Sequence, residues 1–133
     1  NSFLTIINDS KSTSFSSSIP ILKKKLNIYW ILGGIPKKGD KFNLQKKYHT
    51  NIKAFIFGRN KKVFNKQLKG KIKYSNFNNL NDALKKIFLI INKKNFPKKI
   101  IIFSPSAASF DNFKNFEDRG SYFNKLIKKY LNV

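Results

Sequence analysis

The chain has 133 residues, no cysteine, a single histidine, and 28 Lys and Arg against 6 Asp and Glu. That length suits one domain with one core, the missing thiols exclude disulfides and thiolate metal sites, and a lone His excludes a multi-histidine centre. The longest apolar run, Ile87 to Ile91, falls far short of the roughly 20 residues that cross a bilayer, and the opening residues lack the order of a signal peptide.

Phe3 to Ile7 reads as a first strand, β-branched and aromatic without breakers, and the turn formers Asn8 to Thr13 follow it. A helix is expected over about Ser14 to Lys25, kinked or shortened by Pro20. Asn27 to Leu32 is the second strand, leaving into Gly33-Gly34 and the loop Ile35 to Asp40; paired glycines permit positive φ and close backbone approach. A short helix over about Phe42 to Tyr48 leads to the third strand, Ile52 to Phe57, which exits at Gly58-Arg59. A basic helix is expected over about Lys61 to Leu68. A weak fourth strand, Lys71 to Ser75, follows near an edge, where lysines blunt unwanted pairing.

Leu80, Ala83, Leu84, Ile87 and Ile91 keep the rhythm of an amphipathic helix capped by Asn78 or Asn79. Pro97 closes that region. Lys99 to Phe103 is a fifth strand, whose unbroken apolar run suits burial on both faces of a parallel sheet. A small-residue turn and a loop with Phe110, Phe113 and Phe116 then enter a last helix, expected to bury Tyr122, Phe123, Leu126, Ile127, Tyr130 and Leu131. Strands alternating with helices predict an α/β fold: a Rossmann-like three-layer domain, with a mostly parallel sheet of about five or six strands and helices on both faces.

Parallel strands deliver their exits to one edge, so the loops at Asp9, Gly33, Gly58 and Ser104 are expected to converge there. Lys11, Lys37 and Arg59 bring positive charge to that rim, Thr13, Ser104 and Ser109 bring hydroxyls, and Gly33-Gly34 free amides. The combination suits a phosphate or a carboxylate. Asp9 would accept from a sugar hydroxyl or a substrate amine; the competing reading makes Asp9, Ser10 and Thr13 mere caps of the first helix, and Phe113 and Phe116 core. The acids are scarce, yet Asp9, Asp40, Asp111, Glu117 and Asp118 all fall in or just after loops that follow strands, more than helix capping is expected to explain. His49, in a Lys-rich patch, reads as a surface residue. No Ser/His/Asp set, metal cluster or G-x-x-x-x-G-K-[ST] phosphate loop is present, so the domain is expected to bind part of a substrate while chemistry is completed elsewhere.

Asn8-Asp9-Ser10-Lys11-Ser12-Thr13 after a strand, Gly33-Gly34 with Lys37 following, and Ser104-Pro105 through Ser109-Phe110-Asp111 to Phe113-Lys114-Asn115-Phe116-Glu117-Asp118-Arg119-Gly120 resemble the C-terminal domain of the Mur ligases, in the branch that adds D-glutamate. The resemblance spans nearly the whole chain. It implies an ATP-dependent amide-forming ligase of peptidoglycan synthesis: ATP phosphorylates the alanyl carboxylate of UDP-N-acetylmuramoyl-L-alanine, and the amine of D-glutamate attacks the acyl phosphate. By motif position Thr13, Lys37, Ser109, Phe110 and Phe116 would hold D-glutamate. Asp9 would meet the ATP, and Lys11 would lie near the reacting carboxylate and phosphate groups. The segment Ile35-Pro36-Lys37-Lys38-Gly39 is less glycine-rich than in many relatives, so Lys37 and Lys38 both stand as candidates for the functional lysine.

The resemblance further implies that residues 1–133 form the C-terminal domain, with Mg2+ held by a central ATPase domain and the UDP-binding domain also upstream of Asn1. The full-length enzyme is expected to be a cytoplasmic monomer without nucleic-acid or membrane partners, and the isolated piece inactive. Asn1 beginning almost in a strand, with no Met anywhere, reads as a cut edge. The alternative is a basic α/β domain that binds RNA or DNA, for which the net charge of +22 is the argument. Against it, the lysines run along the whole chain and Lys, Asn, Ile, Phe and Tyr are enriched together, as A+T-rich coding produces. A dinucleotide-binding domain would need a G-x-G-x-x-G after its first strand, which is missing.

Overall fold

A computed structural model describes residues 4–24, 27–93, 98–109 and 113–131. Five strands, β1 (Leu4–Asn8), β2 (Asn27–Gly33), β4 (Ile52–Phe57), β5 (Lys73–Phe77) and β6 (Lys99–Phe103), form one sheet in the order β1-β6-β2-β4-β5, every pair parallel. Two further strands of two residues each, β3 (Ile35–Pro36) and β7 (Ala107–Ala108), pair antiparallel with each other above the main sheet. The helices are α1 (Phe15–Leu22), α2 (Lys61–Leu68), α3 (Leu80–Lys93) and α4 (Phe116–Leu131). The expected Rossmann-like three-layer α/β arrangement is what forms.

Side-chain alternation along the strands makes two cores. Ile28, Trp30, Leu32, Ala54, Ile56, Ile100 and Ile102 point to one face, under Phe15 and Leu22 of α1 and Phe64 and Leu68 of α2. Tyr29, Ile31, Phe55, Phe57, Ile101 and Phe103 point to the other, under α3 and α4. Crossing the sheet outward through α1 and α2 uses one face; returning through α3 to β6 uses the other, as a single crossover hand requires. The loop leaving β1 therefore heads for one face and the loop leaving its neighbour β6 for the opposite one. A crevice opens between such loops at the carboxyl edge.

β6 and α2 run over the residues expected of them, and Asn79 caps α3, its side chain accepting from the Asp82 amide at 2.8 Å. Other expectations need correction. α1 stops at Leu22, two residues after Pro20, whose missing N–H weakens the helix there. No helix spans Phe42 to Tyr48; that stretch is irregular until a 3-10 turn at Lys46–Asn51, because Phe42 and Leu44 both drop into the core. Phe42 stacks on Trp30 with centroids 5.7 Å apart, and a helix would not place residues two apart on one face. His49 is half-buried, its Nε2 2.8 Å from the Leu44 carbonyl oxygen. β5 lies two residues later than expected, as an edge strand. On α4, Phe123, Leu126 and Ile127 are buried, whereas Tyr122 and Leu131 stay 39% and 38% exposed at the margins of the apolar face.

Gly33 and Gly34 have φ of 153° and 127°. A Cβ on Gly33 would run into the Phe57 carbonyl oxygen, and one on Gly34 would lie 2.5 Å from the Ala108 carbonyl oxygen. Both glycines thus let the β2 exit press against the neighbouring exits. Gly34→Ala is expected to lower the unfolding free energy by about 2–4 kcal/mol, read by urea denaturation, because the β3–β7 pair must open to admit the methyl.

Candidate functional site

The predicted convergence is real, and hydrogen bonds tie the loops together. The Asp9 amide donates to the Phe103 carbonyl at 2.7 Å, Ser104 N to Ile31 O at 3.2 Å, and Gly33 N to Pro105 O at 3.1 Å, so the exits of β1, β6 and β2 are stitched side by side. The Asn60 side chain donates to Gly34 O at 3.0 Å and adds the β4 exit.

Asp9 accepts from the Ser104 hydroxyl at 2.7 Å through Oδ2, and Oδ1 has no hydrogen-bond partner. It does not cap α1. Ser14 does, in a capping box with Ser17, and the Asp40 carboxylate takes the Phe15 amide at 2.7 Å. Thr13 is exposed and bonded to nothing, which removes the reading of this turn as a simple helix cap. The other acids are corrected the opposite way: Asp40 ends at the start of α1, Glu117 and Asp118 lie in the first turn of α4, and Asp82 in that of α3. Helix starts explain these four, because anions suit the positive end of the dipole. Asp111 lies outside the described residues, and Asp9 is the acid turned to the rim.

Lys37 is held from both sides. Pro36 before it is in register with Ala107, and the Asp40 amide closes a turn onto the Lys37 carbonyl at 3.1 Å, with Gly39 at φ 76°. Lys38 sits at the second position of that turn, away from the paired strand. The side chains of Lys11, Lys37 and Arg59 are exposed and make no ion pair or hydrogen bond. Ser109, the residue after β7, is 3% exposed, yet its hydroxyl has no hydrogen-bond partner. A buried unpaired hydroxyl at a rim is a group prepared for a ligand or a water. Phe116 is 43% exposed at the start of α4, not core, and its carbonyl accepts from the Ser10 hydroxyl at 2.7 Å. Phe113 is half-buried against Tyr122, with ring centroids 5.7 Å apart. Phe110 lies outside the described residues.

Sequence reasoning missed Arg119. It is 1% exposed, and its guanidinium donates to the carbonyls of Ser10 and Ser12, to the Ser10 hydroxyl at 3.1 Å, and to Ala107 O at 2.8 Å. It clasps the β1 exit to β7, beside Lys11 and Thr13 on one side and Ser109 on the other. One signal was available: only two of the 28 basic residues are arginine, in a chain whose coding favours lysine.

The rim thus gathers three unpaired cations, a buried free hydroxyl, and an anchored carboxylate with one oxygen to spare. No family model matches the chain. Sequence comparison finds UDP-N-acetylmuramoylalanine–D-glutamate ligases across nearly its full length: that of Rickettsia felis is 37% identical over 123 residues, 92% of this chain. That of Hydrogenobaculum is 37% identical over 97% of the chain, and that of Buchnera aphidicola from Schizaphis graminum likewise 37% over 97%. The chain is thus similar, over nearly its whole length, to a domain-sized segment of these ligases. It spans 27%, 31% and 29% of those three ligases. Among the described residues, no helix is long and apolar enough to cross a membrane.

Proposed function

We propose that this chain is the C-terminal, amino-acid-binding domain of an ATP-dependent ligase that adds D-glutamate to UDP-N-acetylmuramoyl-L-alanine. The observation that supports the reading is the stitching of the β1, β6 and β2 exits into one edge, with Asp9 on the first, and with Lys37 directly after β3 and Ser109 directly after β7 at the two ends of the β3–β7 pair. D-Glutamate carries two carboxylates and an amine that must be free to attack. Lys37 pairs a carboxylate, and Thr13 and Ser109 donate hydroxyl hydrogen bonds. Phe116 and Phe110 are assigned to the aliphatic stem of the ligand.

Lys11 neutralises charge building up as the acyl phosphate forms and as phosphate leaves, the type of term on which phosphoryl chemistry depends. Asp9 accepts from a nucleotide hydroxyl. ATP supplies the phosphoryl group that activates the alanyl carboxylate. Mg2+ is assigned, as the resemblance implies, to the central ATPase domain of the full-length enzyme. The placement of aromatic side chains supports this reading over nucleic-acid binding, because among the described residues the exposed aromatics are divided between β5 (Tyr74) and α4 (Phe116 and Tyr122), near opposite edges of the sheet. The test is phosphate release by the full-length protein. Release requiring the UDP-sugar, ATP and D-glutamate together is expected; release unaffected by omitting D-glutamate would remove the assignment.

A further inference from the structure

Four serine hydroxyls meet beneath the rim, and their hydrogen-bond directions are determined by Asp9. Ser12, Ser18, Ser104 and Ser106 come from the β1 exit, from α1 and from the β6 exit, and none is more than 1% exposed. An ionised carboxylate only accepts, so the single hydroxyl hydrogen of Ser104 is committed to Asp9 Oδ2, 2.7 Å away. The close contact between the Ser18 and Ser104 hydroxyls must then use the Ser18 hydrogen. Ser18 in turn accepts from Ser12 at 2.6 Å and from Ser106 at 2.7 Å, which fills both of its lone pairs. The hydroxyl-to-hydroxyl bonds among these four thus all point toward the carboxylate, while longer contacts from Ser12 to the Ser14 carbonyl and from Ser106 to the Ser104 carbonyl, both 3.3 Å, and from Ser18 to the Ser104 carbonyl, 3.5 Å, branch off to the backbone.

We propose that Ser104, backed by Ser18, is a positioning residue that holds Asp9 as a one-sided acceptor for a nucleotide hydroxyl. The inference rests on the ligase reading, which gives Asp9 a nucleotide to meet. Aligned hydroxyl dipoles polarise one another, and they fix Oδ2 so that the unpartnered Oδ1 is left for the ligand. Without the Ser104 hydrogen, Asp9 is free to rotate and must be ordered when ATP binds, a cost that appears in nucleotide affinity and not in amino-acid affinity. Ser106 is the internal comparison. It is equally buried and equally bonded to Ser18, but it lies on a branch and not between Ser18 and Asp9. Its φ of 59° is no harder for alanine than for serine.

The experiment is steady-state kinetics of the full-length ligase with ATP and D-glutamate varied separately. Ser104→Ala is expected to raise the ATP KM about tenfold and leave the D-glutamate KM within about twofold, while Ser106→Ala leaves both within about twofold. A purely structural network predicts equal effects of the two substitutions, and that result, or an unchanged ATP KM in folded Ser104→Ala, overturns the proposal. Should Ser104→Ala not fold, Ser18→Ala decides, because it spares the Ser104–Asp9 bond while removing its support. A rise of about threefold in ATP KM is then expected, and no rise overturns it. A wild-type enzyme with no D-glutamate-dependent turnover would remove the ligase reading and this inference together, an outcome distinct from an active wild type with an insensitive Ser104→Ala.

Discussion

Arg119→Ala is expected to lower the unfolding free energy by about 3–5 kcal/mol, a large part of the stability of a small domain, and to remove most ligase activity even where the fold survives. The guanidinium is buried, and its planar fork serves three carbonyls and a hydroxyl on two different loops. Truncation leaves the carbonyls of Ser10, Ser12 and Ala107 without this donor in a place that water does not reach. Arg119→Lys keeps the charge but cannot present the same donors, so it is expected to recover little. Urea denaturation reads the stability. A loss under about 1 kcal/mol would show that the carbonyls find other donors and that the clasp does not set the rim.

Lys37→Ala is expected to raise the D-glutamate KM by about 30–100-fold with the ATP KM nearly unchanged, the effect of deleting one charge-assisted contact to a carboxylate. Lys38→Ala is expected to change it less than about threefold, because Lys38 sits at the second position of the turn whereas Lys37 directly follows the paired strand. Initial rates at saturating UDP-sugar separate the two. An unchanged D-glutamate KM in Lys37→Ala, or a larger effect at Lys38, would relocate the carboxylate contact.

The architecture was readable because its three central strands, β2, β4 and β6, are almost wholly buried and its helices one-sided. Ile100 to Phe103 has no polar break, and Leu80, Ala83, Leu84 and Ile87 repeat at helical spacing, so period and length decided both. The misses have physical reasons. Phe42 and Leu44 read as part of a helix because they lie near other helix formers; what fixes them is the space beside Trp30 and Phe15, a tertiary demand that local pattern does not contain. β3 and β7 are two residues each, one containing a proline, and exist only because Gly34 lets the loops touch.

The rim followed from topology, since parallel strands have no other way to place their exits. Its fine structure did not. Arg119 adjoins Glu117 and Asp118 in the sequence and looks like a solvated helix residue, whereas the fold turns it inward onto backbone carbonyls. Ser12 and Ser18 look like helix-start residues, and only the approach of β6 makes them partners of Ser104.

The most direct measurement is a crystal structure of the full-length protein with D-glutamate and a nucleotide bound. The account predicts one D-glutamate carboxylate within hydrogen-bond reach of Lys37 Nζ, Ser109 Oγ bonded to the same ligand, and Asp9 Oδ1 turned to the nucleotide. D-Glutamate seated away from the β3–β7 pair, with Lys37 and Ser109 still unpartnered, would contradict it.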